Sequence, residues 1–109
     1  MTKSKDAAQL ACYRLKFLPE ALAEWNALDG SVKEVLRKAL KKRLMQPRLP
    51  GAELHASLRD CYKIKLRQKG YRLVYSVDDG VLIVLVLAVD KRENMLAYQS
   101  ALERLLSRR

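Results

Sequence analysis

The chain has 109 residues, half of them hydrophobic, and only two cysteines, a composition that suits one compact domain with a buried core. It excludes a large multidomain enzyme, and also a disulfide-stapled scaffold, because Cys12 and Cys61 allow one bridge at most. Lysine and arginine number 22 against 12 aspartates and glutamates, so the net charge of +10 predicts a polyanionic partner, either nucleic acid or an acidic protein.

The amino-terminal segment is polar and basic, and we expect residues 1–11 to be a loosely ordered extension of a single domain that takes in residues 1–109. No apolar segment of the signal-peptide kind follows it. The longest apolar run, Val81–Val89, is far shorter than the roughly 20 residues that a membrane-spanning helix needs. We therefore expect a soluble, cytoplasmic protein that makes no membrane contact and keeps its two thiols free.

A strand and two helices are predicted first. Alternating apolar residues over Cys12–Phe17 predict the strand, and Pro19 suits the first turn of the first helix. Ser31 and Glu34 have the spacing of a capping box at the start of the second helix, which ends before Pro47. Apolar residues recur at helical spacing along both helices, so each has one face suited to packing on a sheet.

The second helix carries a basic face opposite its apolar stripe. Such a face is most often simply solvated, and contact with RNA phosphates is the alternative. The candidate RNA-binding residues are Lys33, Arg37, Lys38, Lys41 and Lys42, together with Arg67 from the hairpin that follows.

Three strands and a last helix complete the chain. The strands are predicted over Asp60–Arg67, Tyr71–Val77 and Val81–Val89, and the helix over Arg92–Leu106. The turns between the strands are short, so both connections are predicted to be antiparallel hairpins. The predicted order is βααβββα. The predicted fold is therefore α+β, with an antiparallel twisted sheet, two amino-terminal helices packed on it and a carboxy-terminal helix.

The first hairpin has an unusual charge pattern. Because the apolar residues of both strands must face the core, the loop must hold an even number of residues, and Lys65 then lies directly across from Arg72. Lys63 lies on the same face, opposite Val74. Like charges in opposite positions destabilise a sheet, so the cluster predicts an anionic ligand. The alternative is neutralisation by the nearby carboxylates Asp60, Asp78 and Asp79, which lie at strand ends.

The usual catalytic signatures are missing from the sequence. There is one histidine, His55, which we interpret as a solvated loop residue, and the Cys/His spacing fits no zinc site. We expect no metal and no cofactor. A cationic site can still cleave RNA, because the ribose 2′-OH supplies the nucleophile and the protein need only orient it, stabilise charge and move two protons.

Three segments carry a resemblance to a known family. Asp60–Arg67, Gly70–Tyr75 and the Lys-Arg-Glu sequence at 91–93 with Tyr98 beyond it resemble the RelE toxins of bacterial toxin–antitoxin pairs. The resemblance covers residues 12–106, including the Pro-Glu-Ala-Leu-x-Glu-Trp opening of the first helix. It implies a ribosome-dependent endoribonuclease that cuts messenger RNA in the decoding site and is neutralised by an acidic RelB-like antitoxin in a hetero-oligomeric complex.

The resemblance also implies roles for five residues. Lys63 and Lys65 would line the site, with Lys65 as general base, and Arg72 would stabilise the scissile phosphate. Arg92 would serve the leaving-group side, and Tyr98 would stack on the nucleotide beside the cleaved bond. From the sequence alone, Arg92 could equally be an ordinary charged residue at a helix start, and Tyr98 a core tyrosine with its hydroxyl at the edge.

Two other functions are weighed against this one. A non-nuclease similar to the ParE toxins, which inhibit DNA gyrase by binding it, would need no such set of cations and tyrosine. A plain RNA-binding module would be expected to expose more aromatic residues for base stacking than seven aromatic side chains allow. The nuclease is therefore the leading interpretation.

Overall fold

The computed structural model describes residues 12–91 and 95–108. Its order of elements confirms the predicted βααβββα. The strands are β1 (Arg14–Phe17), β2 (Cys61–Leu66), β3 (Tyr71–Asp78) and β4 (Ile83–Lys91); the helices are α1 (Pro19–Asn26), α2 (Gly30–Met45) and α3 (Leu96–Ser107). The extension at 1–11 lies outside the described residues.

The four strands form one sheet in the order β1-β4-β3-β2. Both predicted hairpins are present, since β2 pairs antiparallel with β3 and β3 with β4. β1 instead runs parallel to β4, from Arg14 opposite Ile83 to Phe17 opposite Val86. The α+β class is confirmed, but the sheet is mixed where an antiparallel one was expected. The two helices separate β1 from the other strands, so no short turn dictates its direction.

The helices cover opposite faces of the sheet. Arg43 of α2 lies over Tyr75, which stacks on Tyr62, so α2 covers the face that carries these two rings. Tyr98 of α3 lies over Arg72, which projects from the other face. The strand residues between the helices are largely buried, with Leu73, Tyr75 and Leu87 fully so. The rigid three-layer arrangement leaves one end of the α3 face open, and the cationic cluster lies there.

Several predicted boundaries shift. α2 is capped by Asp29, whose carboxylate accepts the Ser31 N–H at 3.1 Å and also the Ser31 hydroxyl, so the predicted capping box is wrong. Glu34 instead forms an ion pair with Arg37 at 2.7 Å. Val81 belongs to the turn before β4 and is 55% exposed. α3 begins at Leu96, after the segment 92–94, which lies outside the described residues.

Both cysteines are free thiols, and burial raises the pKa of Cys61 to about 11. In residues 12–91 and 95–108, no helix is both long enough and apolar enough to cross a bilayer.

Candidate functional site

The first hairpin has the predicted register. Lys65 lies directly opposite Arg72, and Lys63 lies opposite Val74. The turn holds the four residues 67–70, an even number, and Gly70 has a φ of 71°, where a side chain would be strained. The two like charges therefore share one face of the sheet at neighbouring positions, as the alternation of apolar residues required.

The second hairpin adds a carboxylate that the sequence analysis missed. Asp90 lies directly opposite Arg72 on β4, so that Lys65, Arg72 and Asp90 form a row across three strands. The carboxylates considered from the sequence, Asp60, Asp78 and Asp79, did not include Asp90. The pairing depends on a bulge: Tyr75 opposes Val86, whereas Val74 opposes Ala88. Without the extra residue on β4, Arg72 would face Val89.

The strand-end carboxylates serve another purpose. Arg48 bonds Asp60 at 3.0 Å and Asp79 at 2.9 Å, and Tyr13 donates a hydrogen bond to Asp79 at 2.5 Å. Asp78 accepts the N–H of Gly80 at 3.0 Å. These carboxylates therefore fix the loop after α2 to the ends of β2 and β3, rather than neutralising the cations on the α3 face.

α3 brings Tyr98 onto the cluster. The guanidinium carbon of Arg72 lies 4.8 Å from the centroid of the half-buried Tyr98 ring, within cation–π distance. The same guanidinium donates through Nη1 to the sulfur of Met95 at 3.2 Å. Met95 has a φ of 60°, a conformation that is strained for a side chain of this kind. Tyr98 is thus packed against the core and also in contact with the predicted phosphate-binding arginine.

Two clefts meet at Lys63. Lys63 lines both clefts. The first, of about 490 Å³, is also lined by Glu53, His55, Met95 and Tyr98. The second, of about 440 Å³, is also lined by Arg43, Lys65 and Arg67. They form because the loop before β2 pairs with its outer edge, where the Lys63 N–H donates to the carbonyl of Ala52 at 3.0 Å.

The walls of these clefts include residues that sequence reasoning missed. His55 is exposed, as expected, but it lines the cleft beside Tyr98 instead of facing only solvent. Glu53 accepts the N–H of Gly51 at 2.6 Å, and backbone hydrogen bonds lower the pKa of this carboxyl, so it stays ionised at neutral pH. No periodic pattern places a loop residue beside a given strand, so the sequence held no signal for either.

Arg43 supports Lys63 from behind. Its guanidinium donates to the carbonyl of Lys63 at 3.0 Å and to the hydroxyl of Tyr75 at 2.9 Å. That hydroxyl, fully buried, donates in turn to the carbonyl of Pro47 at 2.6 Å. These hydrogen bonds therefore join α2, β3 and the loop after α2 directly behind Lys63.

The basic face of α2 is a separate surface. α2 covers the opposite face of the sheet, so the residues of its basic face do not join the cluster. Four of them, Arg37, Lys38, Lys41 and Lys42, are exposed, and Lys33 is half-buried. Arg37 lies 6.0 Å from the Trp25 ring. Arg37 and Lys41 border an apolar groove of about 380 Å³ between β1 and α2, which contains Leu15, Phe17 and Leu44.

Four of the five predicted site residues are thus brought together: Lys63, Lys65, Arg72 and Tyr98. Arg92 lies outside the described residues. Over 12–91 and 95–108, no three His, Cys, Asp or Glu side chains group as they would around a metal ion. The arrangement can hold a phosphate between two cations with an aromatic ring beside it.

The chain is similar to several known proteins. The family described as ParE toxin of type II toxin–antitoxin system, parDE, matches residues 15–96. A putative RelE-like toxin protein of Escherichia coli is 47% identical over 93 residues, which are 85% of this chain and 97% of that protein. The mRNA interferase toxin RelE of Escherichia coli is 46% identical over 94 residues, which are 86% of this chain and 98% of that protein.

Solved structures show the same likeness. A doubly substituted variant of Escherichia coli toxin RelE in the free state has a TM-score of 0.79 at 44% identity, covering 86% of this chain and 98% of that one. A chain of the intact Escherichia coli RelBE toxin–antitoxin complex has a TM-score of 0.71 at 46% identity, and the match covers 75% of this chain and 99% of that one. The chain belongs to the ParE/RelE family of toxins from type II toxin–antitoxin systems.

Proposed function

We propose that the chain is an mRNA interferase of the RelE type, an endoribonuclease that cuts messenger RNA in the decoding site of the ribosome and so stops translation. The observation that carries this proposal is the site itself: Lys65 opposite Arg72, with the Tyr98 ring over the Arg72 guanidinium. The likeness to the mRNA interferase toxin RelE, over nearly all of that protein, supports it.

The proposed reaction uses the ribose hydroxyl of the RNA itself as the nucleophile. The 2′-oxygen attacks the adjacent phosphorus while the bond from phosphorus to the 5′-oxygen breaks, leaving a 2′,3′-cyclic phosphate and a 5′-hydroxyl. Lys65 takes the proton of the 2′-OH as the general base. Arg92 serves the 5′-oxygen as it leaves, either by proton transfer or by its charge.

Arg72 and Tyr98 act together on the phosphate and its neighbouring nucleotide. The planar guanidinium can bind two phosphate oxygens at once, and its contact with the Tyr98 ring restricts its orientation. We assign the face of this half-buried ring that Arg72 does not cover to stacking on a base, which is the usual role of an aromatic ring in binding single-stranded RNA. Lys63 provides a further positive charge between the two clefts.

The partners follow from the charge of the surface. The residues of the basic α2 face bind ribosomal RNA phosphates, as does Arg67, and the net charge of +10 makes binding strongly salt-dependent. An acidic antitoxin similar to RelB neutralises the same charge in a hetero-oligomeric complex in the cytoplasm. Structures of Escherichia coli RelE with RelB support a partner of this kind.

The test is primer extension on a defined messenger held on bacterial ribosomes, beside the same RNA free in solution. Wild type is compared with Lys65→Ala, Arg72→Ala and a matched control, Lys69→Ala, which removes an exposed cation from the turn of the same hairpin. We expect cleavage in the decoding site on ribosomes only, lost in the first two variants and kept in the control.

Other outcomes point elsewhere. An intact messenger in the presence of ribosomes and wild-type protein would refute the proposal. Inhibition of gyrase supercoiling by the same preparation would then support a ParE-like toxin, which the description of the matching family makes the natural alternative.

A further inference from the structure

An ion pair between α1 and α3 occupies the outer edge of β4. β1 ends at Phe17, opposite Val86, and the edge of β4 continues beyond it. There, Glu24 accepts the N–H of Val89 at 3.0 Å, and Arg104 donates to the carbonyl of Leu87 at 2.8 Å. The two side chains also bond each other twice, at 2.9 and 2.8 Å. They therefore complete the hydrogen bonding of this stretch of β4 as a further strand would.

These backbone bonds lie on the bulge that sets the register of the site. Leu87 is the extra residue of β4, because its neighbours Val86 and Ala88 oppose consecutive residues of β3. That extra residue is what puts Asp90 opposite Arg72. A bulge leaves backbone groups without a ladder partner, and here Arg104 supplies the donor that the carbonyl of Leu87 requires.

The ion pair also fixes α3. The only fully buried residues of this helix are Ala97 and Ala101, which offer the sheet a smooth, shallow surface. Two methyl groups do little to define a register, and the larger side chains that this helix packs against the core, Tyr98 and Leu105, are only partly buried. The forked bond from Arg104 to Glu24 is directional, and it is largely shielded from water, with the two side chains 17% and 26% exposed. It can therefore set the rotation and position of α3.

We propose that Glu24 and Arg104 are positioning residues of the active site. By holding the bulge they set Asp90 on one side of Arg72, and by holding α3 they set Tyr98 over it. Tyr98 precedes Arg104 by six residues, about 9 Å along the helix axis, so a small rotation of α3 at Arg104 is transmitted to the ring. This inference rests on the proposed function, in which Arg72 binds the scissile phosphate.

The same two helices offer a matched control. Glu20, one turn before Glu24 in α1, and Arg108, directly after the end of α3, form an ion pair at 2.8 Å. This pair is 44% and 39% exposed, and its observed bonds are to each other and, from Arg108, to the carbonyl of Arg104, with none to β4 among the described residues. Substitution there removes an interhelical ion pair without affecting the bulge.

The experiment compares Arg104→Gln, Arg104→Lys and Glu24→Gln with Glu20→Gln and Arg108→Gln. Cleavage is measured in single turnovers over a series of concentrations of programmed ribosomes. We expect Arg104→Gln to lower the maximal rate by about tenfold or more, since small displacements of a positioned group cost this much, while the half-saturating ribosome concentration changes less than about twofold. Arg104→Lys should recover part of the rate, and both control variants should match wild type.

A second measurement does not depend on cleavage. Nuclear Overhauser contacts between the Tyr98 ring and the Arg72 side chain should be present in wild type and both controls, and lost or weakened in Arg104→Gln and Glu24→Gln. Exchanging the charges, with Glu24→Arg and Arg104→Glu together, should not restore them, because the Val89 N–H then meets a donor and the Leu87 carbonyl an acceptor.

Clear outcomes overturn the inference. A folded Arg104→Gln protein with wild-type rate and contacts would do so, and so would a charge exchange that restores both. If Arg104→Gln fails to fold, Arg104→Lys and Glu24→Gln decide by the same criteria. If wild-type protein cleaves nothing on ribosomes, the proposed function fails, and the Tyr98–Arg72 contacts alone judge the positioning role.

Discussion

Replacing Tyr98 with alanine removes the ring that lies 4.8 Å from the guanidinium carbon of Arg72. Two contributions are lost. A cation–π contact is worth about 0.5–1 kcal/mol when exposed and about 2 when desolvated, and stacking on a base is worth about 1–3. Because the ring is half-buried, we expect the variant to lose about 2–4 kcal/mol of transition-state stabilisation in total, which corresponds to a fall in cleavage rate between about 30-fold and 1,000-fold.

Tyr98→Phe is the informative partner of this variant. It keeps the ring and removes only the hydroxyl, so we expect a rate within about threefold of wild type. The assay is single-turnover primer extension with toxin in excess over programmed ribosomes, and urea unfolding shows that both variants are folded under assay conditions. A Tyr98→Ala rate within about threefold of wild type would refute the stacking role. A Tyr98→Phe rate as low as that of Tyr98→Ala would assign the function to the hydroxyl instead.

Three further predictions concern stability, and urea unfolding tests each of them. Tyr75→Phe removes a fully buried hydroxyl that donates to a loop carbonyl at 2.6 Å and accepts from a guanidinium at 2.9 Å, so we expect a loss of about 2–3 kcal/mol; a loss under about 0.5 would contradict this. Ala56 has a φ of 57°, which is strained for alanine, so Ala56→Gly should raise the free energy of unfolding by about 0.5–1 kcal/mol after the greater entropy of the unfolded glycine chain is subtracted. A destabilised variant would show that the loop is not strained. The hydrogen bonds from Tyr13 and Arg48 lower the pKa of Asp79 in the folded protein. The ionised carboxylate therefore stabilises the fold fully above the unfolded-state pKa of about 3.9, and this stabilisation is lost as the pH falls through the lower pKa of the folded state. The unfolding free energies of wild type and Asp79→Asn should therefore converge in acid, and a constant difference would argue against this coupling.

The hairpin could be predicted from the sequence because its pattern has only one solution. The apolar residues of β2 and β3 alternate without interruption, and a short turn joins them, so placing both sets in the core leaves one parity for the pairing. The opposition of Lys65 and Arg72 follows directly, and the structure has it. The start of β4 could not be predicted in this way. Val81 is as apolar as its neighbours, yet it lies in the turn that reverses the chain between β3 and β4.

The surroundings of Arg72 could not be predicted in the same way. Its neighbour on β4 depends on a bulge at Leu87, which is an ordinary buried residue in an apolar run and carries no glycine or other local signal. The parallel pairing of β1 and the position of His55 beside the cleft likewise depend on where long connections end in space. These features arise from tertiary packing, and periodicity describes only local structure.

In the proposed reaction, the charge distribution around Arg72 also predicts where the phosphate binds. Asp90 lies opposite Arg72 on the β4 side and repels an anion there, whereas Lys65 lies opposite on the β2 side and attracts it. The Tyr98 ring covers the guanidinium from α3. The favourable position is therefore between Lys65 and Arg72, toward β2, where the clefts lined by Lys63 begin. In the proposed reaction, a phosphate between Lys65 and Arg72 interacts favourably with both members of this pair, so the free energy of binding falls on the atoms that react.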